Sequence, residues 1–129
     1  MEKTSMQTYR HQYYEDHKEK MRAYQCKYRE KHKEEKRLGI RHYRSALKEE
    51  VFGHYGSDGK KACALCGIAD IDVLCIDHIN GNGNAHRRLV GGSGVSVYRW
   101  LKVNNFPRGF RILCCNCNRK AFILRRREK

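Results

Sequence analysis

Asp77 and His78 stand side by side at the end of a short apolar run, Val73-Leu74-Cys75-Ile76, and lead directly into Ile79-Asn80-Gly81-Asn82-Gly83-Asn84. A carboxylate is a hard oxygen donor for a divalent cation, and an imidazole near neutral pH is suited to accept a proton. Asn118, far downstream, offers a second oxygen. Together Asp77 and Asn118 suit Mg2+ or Mn2+, which could hold a phosphodiester while His78 takes a proton from an attacking water. Two Cys pairs flank this centre, Cys63-x-x-Cys66 upstream and Cys114-x-x-Cys117 immediately before Asn118. Paired C-x-x-C knuckles are the arrangement of a tetrahedral structural zinc site, so thiolates would take Zn2+ and leave the oxygen donors to a second metal.

The chain of 129 residues carries 28 Lys and Arg against 14 Asp and Glu, a formal net charge of +14. That length accommodates one domain with an extension. A field of this sign attracts polyanions, which makes DNA the expected partner. No apolar stretch approaches the ~18 residues needed to span a bilayer, so membrane insertion is not expected. The first residues lack the apolar core of a secretory signal, which places the protein in a reducing cytoplasm, that of the host cell if it is phage-encoded. The seven Cys are therefore not expected to form disulfides. Cys26, Cys75 and Cys115 are left over and read as ordinary thiols.

The elements that position these residues follow from pattern. Residues 1–50 are charged, lack Pro and suit a solvated helix, with a faint 15-residue repeat through Tyr13, Tyr28 and Tyr43. Such a step overshoots whole turns by about 60°, so the tyrosines spiral and form no coiled-coil seam. Tyr9 with Tyr13, and Tyr24 with Tyr28, are spaced to touch at i, i+4. Arg22, Lys27 and Arg29 make this segment a candidate arm for DNA phosphates, although it nets only +5 and could equally be a solvated helix. Gly39 is expected to end or bend the helix, with a second starting near Arg41 whose Tyr43, Ala46, Leu47 and Val51 form one apolar face. Phe52 to Lys61 reads as a linker with an Asp58-Gly59 turn, and His54 as solvent-facing within it.

Strands are expected at Val73–Asp77 and Phe110–Cys114. A short helix over Gly94–Asn105 buries Val97, Trp100 and Leu101. A last helix spans Asn116–Arg127, closed by the cations Arg125, Arg126 and Arg127. The result is an α+β domain in which strand, long loop, strand and helix are tied by one zinc. Asp77 and His78 alternate in side-chain direction on a regular strand, so the Asn-Gly run is expected to twist the chain and bring both to one centre. His86, Arg87 and Arg88 follow as candidate phosphate contacts, with His86 also a weaker candidate for the centre itself.

C-x-x-C, then Asp77-His78, then Leu113-Cys114-x-x-Cys117-Asn118 with Lys120 close behind resembles the zinc-containing HNH endonucleases of the ββα-metal class. The similarity covers residues 47–124, and the phrases IDHINGNGNAHRR (76–88) and YRWLKVNNFPRGFRILCCNCN (98–118) resemble small phage HNH proteins. The resemblance implies a ββα-metal core with a structural four-cysteine zinc site over residues 51–129, preceded by a basic helical DNA-binding extension over 1–50. It implies Asp77 as metal ligand, His78 as general base, and Asn118 at the position where many members carry the last His, as in HNN variants and endonuclease VII-like nucleases. Lys120, with Arg125, Arg126 and Arg127, then joins the DNA contacts. The middle Asn of the motif has no clear match, Asn104 and Asn105 being candidates. Two alternatives stay open: a non-catalytic zinc-ribbon DNA-binding or regulatory protein, and a resolvase for branched DNA. Monomer and dimer are both compatible with the sequence.

Overall fold

The computed structural model describes residues 5–128. Its described elements are five helices and one two-stranded antiparallel sheet: α1 (Ser5–Lys31), α2 (Lys33–Tyr55), β1 (Leu74–His78), α3 (Gly83–Val90), α4 (Val95–Val103), β2 (Phe110–Cys114) and α5 (Cys115–Arg127). The chain divides into two units, one up to Arg41 and one from His42. A division at residue 50 would have separated Leu47 from Val51, and both are buried in one core.

In the first unit α1 buries no side chain, so its helicity rests on local interactions. Opposite charges three residues apart pair along it, Glu15 with Lys18 at 3.4 Å and Glu19 with Arg22 at 3.8 Å. Each such pair contributes only ~0.2–0.5 kcal/mol. The expected tyrosine pairs are present, Tyr9 with Tyr13 at 6.4 Å and Tyr24 with Tyr28 at 6.3 Å between ring centroids. Each continues onto a histidine four residues further, Tyr13 to His17 at 4.2 Å and Tyr28 to His32 at 4.3 Å. The sequence repeat is therefore a repeated ladder of rings.

The break expected at Gly39 is absent, and Gly39 lies inside α2. The interruption falls at His32, where the hydrogen-bond ladder nevertheless runs on, His32 N–H donating to Tyr28 O and Lys36 N–H to His32 O. A lone glycine costs a helix only about 1 kcal/mol, too little to end one that is continued on both sides by good helix formers.

In the second unit the apolar stripe of α2 narrows to Leu47, Val51 and Phe52, while Tyr43 and Ala46 are exposed. Phe52 corrects the linker assignment: it is fully buried, and the helix continues to Tyr55. Tyr55 Oη donates to Pro107 O at 2.7 Å, and His54 stacks on Phe106 at 3.6 Å. Only Gly56 onward is loop. There Asp58 and Gly59 take φ of 53° and 70°, the paired left-handed geometry of a tight hairpin turn, closing the Ser57–Lys60 bridge.

β1 and β2 pair in the register Leu74 with Cys114, Cys75 with Leu113, Ile76 with Ile112, Asp77 with Arg111 and His78 with Phe110. β1 begins one residue later than expected, so His78 belongs to the strand. The long loop expected between the strands contains α3, which the Asn-Gly run concealed, and then α4, which matches the sequence reading to within two residues. Gly91, left-handed at φ 72°, ends α3. Leu74, Val97, Leu101, Ile112, Leu113, Cys63 and Cys114 complete the core with the α2 side chains. Phe122, Ile123 and Leu124 of α5 stay exposed, and α5 meets the core chiefly through Cys117 and Ala121.

Phe52→Ala should cost about 3–5 kcal/mol of unfolding free energy, as for a buried aromatic. Urea denaturation would measure it, and a loss under ~0.5 kcal/mol would return Phe52 to a surface linker.

Candidate functional site

The two Cys pairs meet. Cys63 and Cys66 sit in a turn in which Cys63 N–H donates to Ile68 O at 2.8 Å and Gly67 N–H to Cys63 O at 2.9 Å, with Gly67 left-handed at φ 77°. Ala64 N–H donates to Ile112 O at 2.9 Å, which fastens this knuckle to β2. Cys114 ends β2 and caps α5, its sulfur accepting from Cys117 N–H. All four sulfurs lie within 4.8 Å of one another, and Cys66 Sγ and Cys114 Sγ are 3.7 Å apart. The edge of a tetrahedron of four sulfurs around zinc, with bonds of about 2.3 Å, is ~3.8 Å. The cluster therefore suits a structural metal ion such as zinc in both donor chemistry and size.

The thiols are unequal. Burial pushes Cys63 up, but hydrogen bonds from the backbones of Cys114, Cys66 and Leu65 outweigh it and hold this thiol down at about 6. Cys117, hydrogen-bonded first to the Cys114 sulfur and partly desolvated, is pushed up to about 12. A cation at the centre would draw the protons off the thiols.

Beside this cluster β1, α3 and α5 enclose a cleft of about 520 Å³ lined by Asp77, His78, Asn84, Arg87, Asn118, Arg119 and Arg125 among others. The twist expected after Asp77 is not needed. β1 stays paired through His78, Asp77 turns to arginines of β2 and α5, His78 turns to α3, and both still line the cleft.

Asp77 is buried at 5% exposure and accepts from two guanidinium groups. Arg111, its cross-strand partner, donates through Nε to Oδ2 at 2.9 Å, and Arg125 donates through Nη2 to Oδ1 at 3.1 Å and Oδ2 at 2.8 Å. Asn118, in the first turn of α5, donates through Nδ2 to Cys75 Sγ at 3.3 Å, and that thiol donates in turn to Leu113 O. Cys75, read as an ordinary thiol, so fixes the Asn118 side chain.

His78 Nε2 lies 2.7 Å from His86 Nδ1. The His78 ring also meets Phe110, its cross-strand partner, edge-on at 4.8 Å. Burial, then the neighbouring His86, hold the His78 pKa below the usual 6.5 despite Asp77, and burial alone lowers His86. His86, read as a phosphate contact, is 8% exposed and packed 4.3 Å from Trp100, with Nε2 buried and unpartnered.

Arg87 lines the cleft and donates to Asn84 Oδ1, and Arg88 is exposed. Lys120 lines a separate hollow beside Cys66 and Cys117. Arg126 and Arg127 are exposed at the end of α5, and Arg22, Lys27 and Arg29 are exposed on α1. The sequence reading overlooked Arg111 and Arg119. The strand register would have found Arg111 opposite Asp77, and the i, i+1 relation to Asn118 would have found Arg119. No helix among the described residues is long and apolar enough to cross a membrane. No protein family, curated protein or solved structure matches the chain.

Cys117→Ser should reduce bound zinc below one equivalent and lower the thermal midpoint of the second unit. Metal analysis of the purified protein with a melting curve tests both, and a zinc-free wild type of unchanged stability would remove the cluster's structural role.

Proposed function

We propose that this chain is a divalent-metal-dependent DNA endonuclease of the zinc-containing HNH type, with a ββα-metal core in its second unit. The observation that carries the reading is the convergence of Asp77, His78 and Asn118 on one cleft with Arg87, Arg119 and Arg125, beside a four-cysteine cluster. A phosphodiester needs cations to hold its charge, a base to activate water, and a cation at the departing oxygen. The cleft offers each. Arg87 and Arg119 are exposed guanidinium groups suited to phosphate oxygens. His78, kept neutral at pH 7, can accept the proton of water.

Asp77 and Asn118 line the same cleft and offer hard oxygen donors, the kind of ligand that Mg2+ or Mn2+ takes. When bound, that ion supplies neutralisation of charge developing on the phosphate. Asp77, which would hold that ion, is engaged by Arg111 and Arg125, so binding there would require displacing Arg125, a cleft-lining group from the last turn of α5. A phosphate in the cleft would draw that guanidinium off the carboxylate.

A second reading, a zinc-stabilised DNA-binding module without catalysis, is favoured by the same double engagement of Asp77, which would then be a buried ion-pair network only.

His78→Ala should retain fold and DNA affinity while losing at least ~10²-fold in cleavage. The assay is conversion of supercoiled plasmid, and of a four-way junction, with Mg2+ or Mn2+ and with EDTA. DNA bound but uncut by wild type in every metal and on both substrates would favour the binding module. Arg125→Gln should tighten Mn2+ binding by roughly tenfold, equivalent to ~1.4 kcal/mol. Electron paramagnetic resonance of free Mn2+ would read this, and unchanged or weaker binding would take Asp77 out of the metal site.

A further inference from the structure

We propose that His86 is the positioning residue of the site: it fixes His78 in the tautomer that bears its proton on Nε2 and leaves Nδ1 as the bare acceptor toward the cleft. This rests on the reading of His78 as a general base, and its test is arranged to fail separately.

The argument runs through one proton. At 2.7 Å the His78–His86 contact is a hydrogen bond, so one nitrogen donates and the other accepts. If His86 Nδ1 donated, neutral His86 would carry a bare lone pair on Nε2. That nitrogen is buried, without a polar partner, in a ring packed 4.3 Å from Trp100 and 5.7 Å from Phe110. Aromatic faces carry negative charge density, so they attract an N–H and repel a lone pair. We accordingly take His86 with its proton on Nε2, an N–H among aromatic rings, so that its Nδ1 accepts and His78 Nε2 donates.

His78 Nδ1 is then unprotonated. Gly83 approaches it closely and, lacking a Cβ, puts no side chain against it. A Cβ placed at Gly83, the first residue of α3, would lie 3.2 Å from this nitrogen, and Gly83 lines the same cleft. When water is activated, its O–H bond breaks and the proton joins Nδ1. The resulting imidazolium keeps its Nε2–H on neutral His86, so the bond strengthens as charge develops. His86 touches no substrate in this scheme. It acts through His78, as the third group of a nucleophile–base–orienter set acts through the base.

The experiment uses 15N-histidine-labelled, zinc-loaded full-length protein at pH 7.5, with His78→Ala for assignment. Two-bond 1H–15N spectra should show His78 protonated at Nε2, bare at Nδ1, and with a downfield Nε2–H proton slow to exchange with water. His78 protonated on Nδ1 would overturn the proposal. In His86→Phe, which keeps a packed ring but no acceptor, the slow Nε2–H signal should vanish. Cleavage should then fall in kcat by roughly 10- to 100-fold, as when an orienting partner of a metal-site imidazole is lost, with KM for DNA unchanged. His86→Asn, which retains an acceptor, should recover part of both signals, and decides the matter if His86→Phe does not fold. His86→Phe with wild-type kcat would sink the positioning role while leaving His78 as base. A wild type that shows the expected tautomer yet cuts nothing would leave the His78–His86 arrangement standing and remove the nuclease reading.

Discussion

Cys114 joins three parts of the second unit in one residue. It is a buried member of the core, the last residue of β2, and the cap of α5, and its sulfur is also a member of the four-cysteine cluster. Along the rest of α5, Phe122, Ile123 and Leu124 are largely exposed, and the helix is otherwise held by Cys117 and Ala121 on the core and by Arg125 on Asp77. The first turn of α5 is set against the sheet by sulfur chemistry. Asn118 and Arg125, the two α5 side chains that reach β1, inherit their positions from that turn. A domain this small gains only ~3–5 kcal/mol from its core, and metal-binding energy in such a fold is folding energy.

Charge is distributed in the cleft with a particular economy. Asp77 is the buried carboxylate among the described residues, and two guanidinium groups, those of Arg111 and Arg125, pair with it. Arg87 and Arg119 face the open side. In the His78–His86 pair burial disfavours protonation of both rings. The cleft is thus a basic surface around one paired acid and a histidine pair, the electrostatic form that the proposed phosphodiester hydrolysis would use.

How much of this was legible depended on the range of the signal. The C-x-x-C spacings are local and chemically restrictive, and they located all four sulfurs. β2 and α4 were read nearly to the residue because apolar alternation and Asn-Pro punctuation agree there. The helix carrying His86 was hidden because Asn82, Gly83 and Asn84 are turn formers, and its ends are set by tertiary context and by Gly91 rather than by a side-chain cap. Phe52 was lost to the loop for a related reason: Gly53 and Gly56 beside it outweighed one apolar residue whose burial depends on contacts distant in sequence. The site shows the same division. Asp77, His78 and Asn118 could be nominated by type and neighbourhood. The partners that decide their chemistry, Arg111 across the strand, Cys75 under Asn118 and His86 behind His78, are products of register and packing.

Those partners also change what the nominated residues can do. A carboxylate with free oxygens is open to a metal at once, whereas Asp77, to serve as the proposed ligand, would first have to give up Arg125. The exchange has a clear electrostatic direction. Guanidinium binds phosphate as well as carboxylate in bidentate geometry, so under the proposed function DNA in the cleft would lower the cost of freeing Asp77 while bringing the charge that a divalent cation would neutralise. Metal and substrate would then favour one another through a shared arginine, and by linkage the coupling is the same in both directions. An acid bound to two arginines is a poor metal site alone and a good one once a polyanion has taken one of them.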